Sequence, residues 1–449
     1  MSVLWNADEI AQATGGIKVG QWEVTGVAID SRALQPGDLF VPLKDTRDGH
    51  DFIPAALEAG AKAVLSSRPG VGECMVYVGS TRFALEQLAV AARDRSRAVR
   101  IGVTGSVGKT TTVRFLEYLL SQYGAVHASQ KSHNNHLGVP LTLANLSATA
   151  EYGVFEMGMN HAGELSDLSQ LVTPQIAVIT AIGKAHLGHF ASVTEIARAK
   201  AEIMNGMVPG SLVILPRDSQ HYDLLADYAQ ERDLQVISFG THPDSTYWTQ
   251  AEDRHLVHVI GPKRRTWTGA NLTATPHFAS LLGIGLAVID TLSLDPETCL
   301  PHLLQWQVPA GRGQVRYVHL AGEAKYTLID DTYNANPTSM HAALERLGGY
   351  PGYKVAILGE MKELGGYAQA EHERLAKSVR TAGIDEVICV GSQMRFLFNE
   401  LSLDKRYFPT VTAALEQVSL SQWPADTTVL AKGSRSVQLE KLLQNFEQG

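Results

Sequence analysis

The stretch Ile101-Gly-Val-Thr-Gly-Ser-Val-Gly-Lys-Thr-Thr-Thr112 joins a short apolar run, a glycine turn and a helix start. Glycines at such a turn let backbone N–H groups converge on phosphate oxygens, and the helix N-terminus adds a favourable dipole. Lys109 has the reach for β- and γ-phosphates, and the Thr110 hydroxyl suits a Mg²⁺ ligand. Gly105, Ser106, Val107, Gly108, Lys109, Thr110 and Thr111 are therefore candidate nucleotide-binding residues. The general GxxxxGK[ST] spacing is not met, because Val103 stands where its first glycine would. The narrower pattern Thr-Gly-Ser-x-Gly-Lys-Thr is met, and it points to a nucleoside triphosphate.

Three more residues follow short apolar runs downstream. Glu156 ends Val154-Phe-Glu-Met157, His186 follows Ile176-Ala-Val-Ile-Thr180, and Lys200 lies in an amphipathic stretch over 193–203. A carboxylate is an apt hard-oxygen ligand for Mg²⁺, whereas a histidine is less usual and a free ammonium would repel the metal. Taken alone, Lys200 reads as a solvated helix lysine and His186 as a satisfied loop histidine. His133/His136 and His186/His189 each space two histidines three apart, but no Glu-x-x-His or Cys partner accompanies them, so zinc is rejected.

The elements that must position these groups change rhythm along the chain. Its 449 residues exceed what one core accommodates. Up to about residue 98, short strands and turns precede a helix expected over 81–97, with a strand expected over Leu39-Phe-Val-Pro-Leu43. Then continuous apolar runs alternate with amphipathic helices, the pattern of parallel strands covered on both faces. A Pro/Gly-containing linker over 307–313 leads into a second such series: Thr327-Leu-Ile-Asp330, Val355-Ala-Ile-Leu358, Val387-Ile-Cys-Val390 and Thr428-Val-Leu-Ala431. The expected architecture is α/β with three domains. A small α+β domain spans 1–98, a central doubly wound, mostly parallel phosphate-loop domain 99–311, and a Rossmann-like domain 312–449. Sites in such sheets lie at the carboxyl ends of strands.

Composition narrows the partners. The formal charge of −8 argues against nucleic acid or an anionic membrane as the main partner. Three scattered cysteines without CxxC spacing fit a reducing cytoplasm, and no stretch has the form of a signal peptide or a membrane span.

Taken in order, the motifs resemble the Mur ligase family, nearest its D-alanyl-D-alanine-adding branch. The resemblance rests on Asp30-Ser-Arg32, Pro36-Gly-Asp-Leu-Phe40 and Asp48-Gly-His50, then on the phosphate loop, Asn134-Asn135 and Leu137-Gly-Val-Pro140. It continues through Glu156-Met-Gly-Met-Asn-His161, Ala185-His-Leu187, Asp330-Asp-Thr-Tyr-Asn-Ala-Asn-Pro337, Leu358-Gly-Glu-Met-Lys-Glu-Leu-Gly365 and Lys432-Gly-Ser-Arg435. The resemblance implies a cytoplasmic, monomeric enzyme of peptidoglycan synthesis. The terminal carboxylate of UDP-N-acetylmuramoyl-tripeptide attacks the ATP γ-phosphate, and the amine of D-alanyl-D-alanine displaces phosphate from the acyl phosphate. It further implies two Mg²⁺ ions held by Thr110, Glu156 and His186, with Lys200 carbamylated to give a further oxygen ligand. Arg312 and Asp331 would contact nucleotide phosphate and ribose, and Asn334 would be a polar residue at the closed domain interface. Ser31, Arg32, Asp48, Gly49 and His50 would grip uridine diphosphate, with Asn134 and Asn135 nearer the reacting end. Read without the family, the first-segment residues form an Asx/Ser turn and surface loop, Asp331 and Asn334 a strand-end turn, and Lys432-Gly-Ser-Arg435 a strand-to-helix turn.

Some positions depart from the family. His277-Phe-Ala-Ser-Leu281 replaces a His-Asn-x-x-Asn adenine patch, leaving His277 as the one candidate contact, and Thr180-Ala181 stands where an asparagine is common. A diamino-acid-adding relative would carry Asp-Asn-Pro-Arg, which is absent. A folate polyglutamate ligase would begin close to its phosphate loop. A non-catalytic nucleotide-binding module would not need Lys109, Thr110, Glu156, His186 and Lys200 together.

Overall fold

A computed structural model describes residues 2–70, 72–130, 132–251, 256–262, 266–270, 276–319 and 325–448. Three main sheets follow one another along the chain, with a two-stranded ribbon (Trp5–Asn6 with Glu23–Val24) at its start. The first main sheet places Gly26–Ala28, Asp38–Phe40, Ala63–Ser66 and Met75–Tyr77 in parallel, with Ile17–Val19 antiparallel at one edge. The strand expected to run to Leu43 stops at Phe40; Pro42, lacking an N–H, could not continue a ladder. The helix expected over 81–97 spans Thr81–Arg95, capped at its start by the Ser80 side chain.

The central sheet is built on Val99–Thr104, flanked by Tyr152–Glu156 and Ile176–Ile179, all parallel. The last four residues of Val99–Thr104 and every residue of its two neighbours are buried. This is why the runs are uniformly apolar and do not alternate. The sheet ends in an antiparallel edge, Tyr247–Ala251 with Leu256–Ile260 and Thr266–Ala270, which the sequence reading does not foresee. The third sheet pairs Lys325–Asp331, Thr428–Lys432, Lys354–Gly359, Glu386–Val390 and Asp404–Phe408 in parallel, with Gln314–His319 antiparallel at the edge. Among the described residues no helix is long and apolar enough to cross a membrane.

The first two sheets meet through apolar packing and one amide. Trp5 is buried, its Nε1 donates to Ala144 O at 2.9 Å, and the Arg95 guanidinium lies 3.5 Å from the Trp5 ring centre. The Asn145 side chain accepts from Val27 N at 2.8 Å and donates to Val27 O at 2.9 Å, as a neighbouring strand would. Replacing this amide leaves both backbone groups of buried Val27 without that partner, at a cost of about 1–3 kcal/mol. Asn145→Ala is therefore expected to lower the Tm by several degrees in calorimetry. An unchanged Tm would show that the amide does not hold the two sheets together.

Candidate active site

The phosphate loop follows the carboxyl end of Val99–Thr104, and the helix Lys109–Leu120 starts directly after it. Gly105 (φ 154°) and Gly108 (φ 84°) take backbone conformations that side-chain-bearing residues rarely adopt. A Cβ on Gly105 would fall 1.9 Å from Thr180 Oγ1. That hydroxyl donates to Val107 O (2.6 Å) and lies 3.2 Å from Thr104 O, so Thr180 braces the loop. Ser106 Oγ exchanges hydrogen bonds with Gly183 O and N. Thr111 is buried in the first turn of the helix.

Lys109 Nζ folds back to donate to Gly105 O at 2.8 Å. Enclosure by protein lowers its pKa, while Glu156 and Glu363 raise it and Arg312 lowers it again. Glu156 is 1% exposed and fully engaged: Thr110 Oγ1 donates to Oε2 and Asn134 Nδ2 to Oε1, each at 2.7 Å. Arg312 crosses from the third segment to donate to Thr110 Oγ1 at 2.9 Å and Ser132 Oγ at 3.2 Å. Lys200 is 1% exposed in the helix Val193–Ala201, which tightens into a 3₁₀ turn over Glu202–Gly206, earlier than the 203 expected. Burial pushes its pKa well below the ordinary lysine value, and the neighbouring Lys109 lowers it further. Lys200 is thus no solvated helix lysine.

A cavity of about 430 Å³ opens onto Lys109, Asn134, His186, Asn334, Glu363 and Arg435. Seen together, these residues come from two sheets and lie beyond the carboxyl ends of their strands, as expected of open α/β sheets. Asp331 pairs with buried Lys432 at 2.8 Å, and Lys432 also donates to Asn334 O. His277 lies over the loop, its Cε1 3.3 Å from where a Gly108 Cβ would be. Asn135 turns the other way: its Oδ1 accepts from Leu137 N and Gly138 N at the start of the helix Gly138–Ala144.

The first-segment candidates do not line this cavity. They form a separate cluster at the carboxyl ends of the first sheet. Arg32 forks onto Asp30 next to Ser31, and Gly49 leaves no room for a Cβ against the Leu43 backbone. His50 is buried, with Nδ1 2.6 Å from Asp48 and Nε2 accepting from Ser67 N at 3.1 Å. The His50 backbone N–H, which donates to Asp48 Oδ1 at 3.0 Å, and after it the ring contact hold the Asp48 carboxyl down at about 2. Both ring nitrogens of His50 are occupied within the segment, so its side chain organises the loop that the exposed residues occupy.

Sequence reasoning missed Ser132 and Tyr333 as site-builders, and Arg68 in the first-segment cluster. Tyr333 OH donates to Ser132 Oγ at 2.9 Å, and its ring lies 3.9 Å from the Arg312 guanidinium. Arg68 bridges Asp48 and Asp51. Tyr333 lies within a motif the reading singled out, Ser132 stands next to the His133–His136 stretch, and Arg68 comes two residues after a strand end, which was the available signal.

Three family descriptions match in succession: "Mur ligase family, catalytic domain" over residues 23–99, "Mur ligase middle domain" over 103–262, and "Mur ligase, glutamate ligase domain" over 312–435. The UDP-N-acetylmuramoyl-tripeptide–D-alanyl-D-alanine ligase of Rickettsia prowazekii is 33% identical, the match covering 99% of this chain and 100% of that one. Among solved structures, MurF from Acinetobacter baumannii superposes with a TM-score of 0.87 at 30% identity, covering 99% of each chain. MurF from Thermotoga maritima in complex with ADP gives 0.79 at 26% identity, covering 95% of this chain and 97% of that one. With phosphate loop, third-sheet arginine and near-complete coverage in agreement, the chain belongs to the Mur ligase family and is of the MurF type.

Proposed function

We propose that the chain joins D-alanyl-D-alanine to UDP-N-acetylmuramoyl-tripeptide at the expense of ATP, through an acyl phosphate, in peptidoglycan precursor synthesis. The observation that carries this reading is the reach of Arg312 into the phosphate loop, 2.9 Å from Thr110. A cation brought there from another segment is placed to meet phosphoryl charge as it is transferred. Lys109 and Arg312 stabilise that charge as the tripeptide carboxylate attacks the γ-phosphate. The cavity shared by Asn134, Asn334 and Arg435 then receives the dipeptide, whose amine displaces phosphate, and the enclosing segments keep water from the acyl phosphate. Ser31, Arg32 and the loop 48–50 hold the uridine diphosphate end, and Asp331 and His277 face the nucleoside.

The residues fit Mg²⁺. Thr110 and Glu156 present hard oxygens 2.7 Å apart at the end of the phosphate loop. That is the arrangement expected where phosphate oxygens and water complete the shell. When bound, Mg²⁺ neutralises charge on the transferring phosphate; His186 and Lys200 would be its further ligands. An ammonium at Lys200 does not fit that part, but a carbamate does. Only the neutral amine reacts with CO₂, and an unperturbed lysine is about 0.1% neutral at pH 7.4. Burial shifts Lys200 toward the reactive form.

Lys109→Ala is expected to lower kcat about a hundred- to a thousandfold while UDP-tripeptide binding, measured by calorimetry, survives. Loss of that binding along with turnover would refute the division of labour between the segments. Lys200→Ala is expected to be nearly inactive and partly rescued by a small added carboxylic acid. Lys200→Arg, which keeps a cation but forms no carbamate, is expected to be equally inactive. A fully active arginine variant would remove Lys200 from the site.

A further inference from the structure

The loop after the strand Ile176–Ile179 carries His186 and is fastened to the third segment along its length. Lys184 N donates to Thr338 Oγ1 at 2.9 Å, and Lys184 Nζ reaches Glu371, whose side chain is 2% exposed, at 3.0 Å. Gly188 N donates to the carbonyl of Glu363 at 3.1 Å, close enough that a Cβ on Gly188 would sit 3.2 Å from that oxygen. Between these ties, His186 Nδ1 lies 2.9 Å from Glu363 Oε2, in ion-pair range though off the axis of a straight hydrogen bond. His186 (φ 56°) and Glu363 (φ 62°) both hold left-handed backbone conformations. Such conformations cost about 1–3 kcal/mol in a residue with a side chain and persist only where the surroundings over-determine them. Two of them facing each other across one contact mark a geometry that the fold maintains at a cost.

Glu363 also lies near enough to Lys109 to act on its charge, and it lines the same cavity as His186. A metal-binding histidine is usually oriented by a carboxylate on its other ring nitrogen, which fixes the tautomer and makes the ligating nitrogen more basic. We propose that Glu363 is a positioning residue for His186: it takes Nδ1, leaves Nε2 as the ligating nitrogen, and so tunes the metal site from the opposite segment. This rests on the ligase reading above and assigns Glu363 a part in it. Because Glu363 belongs to the third segment, the imidazole is set only while the two sheets are together. Metal affinity thereby reports on domain closure.

The test uses the full chain with ADP and Mn²⁺, the free ion being followed by electron paramagnetic resonance. Glu363→Gln keeps the size of a half-exposed side chain and removes its charge, so its Tm should match the parent. Its affinity for Mn²⁺ is expected to fall about tenfold, the lower end of what losing such a carboxylate costs. In a His186→Ala background the same substitution should cost nothing further, because Glu363 acts through the imidazole. An unchanged affinity in the single variant, or an equal loss in both backgrounds, would overturn the proposal. Phosphate release by the parent protein with UDP-tripeptide and D-alanyl-D-alanine is measured alongside. Its failure would sink the substrate reading while the Mn²⁺ comparison still decides the role of Glu363.

Discussion

Lys109 and Lys200 occupy one desolvated corner, and two full positive charges cannot rest there unaided. Burial lowers the pKa of each, and Lys109 adds to the shift at Lys200. Taking an ion out of water costs several kcal/mol even after relaxation, unless opposite charge and hydrogen bonds compensate. Glu156 is the buried carboxylate acting on Lys109, and its oxygens are already committed to Thr110 and Asn134. Glu363 adds carboxylate charge near Lys109 from the third segment, and an anionic ligand would bring more. A triphosphate supplies it at Lys109, and a carbamate would supply it at Lys200. The corner is thus better compensated with an anion bound, which favours anionic ligands. That is how a chain with a net charge of −8 can bind a triphosphate.

The architecture answers this constraint by dividing the charges among sheets that meet in different ways. The first and central sheets share buried apolar residues and the Asn145 amide, a junction suited to staying closed. Near the site, Arg312, Asn336, Glu363 and Glu371 of the third segment reach Thr110, Ser106, His186 and Lys184 respectively, and the buried apolar cluster of the first and central sheets continues into the third segment at Ala335, Met340 and Leu364. Polar contacts of this kind exchange protein partners for water at modest net cost. The backbone between the two sheets holds Gly311 (φ 74°) and Gly313 (φ 91°) in conformations that favour glycine, with Gly311 O accepting from Tyr333 N and Gly313 N donating to Asp330 O.

What could be read in the sequence was whatever local geometry dictates. The glycines of the phosphate loop are obligatory because of φ and close approach, and the parallel strands announce themselves as uninterrupted apolar runs. The placement of Glu156 at the end of one such strand and of His186 after another followed from the same logic. What could not be read were pairings between side chains remote in sequence. Asn145 and Val27 are 118 residues apart and Arg312 and Thr110 are 202 apart, so no periodicity links them. Asn134 and Asn135 show the limit at closer range. They are adjacent and chemically identical, yet one reaches Glu156 and the other caps a helix. Only the backbone direction at that turn distinguishes them. Burial of Lys200 was equally illegible, because an amphipathic helix with one lysine normally turns it toward water.

Thr180 shows how a departure from a family pattern can be absorbed without loss of the loop. An asparagine would offer an amide to brace the phosphate loop. Threonine offers a hydroxyl, which donates to Val107 O and lies within range of Thr104 O while its own N–H joins the ladder to Thr104 O. The shorter side chain sits so close to Gly105 that no Cβ could be accommodated there. The second glycine of Ile101-Gly-Val-Thr-Gly is therefore held by two constraints at once, its positive φ and the hydroxyl packed against it. The loop that cradles phosphate owes its shape as much to a residue 75 positions downstream of Gly105 as to its own glycines.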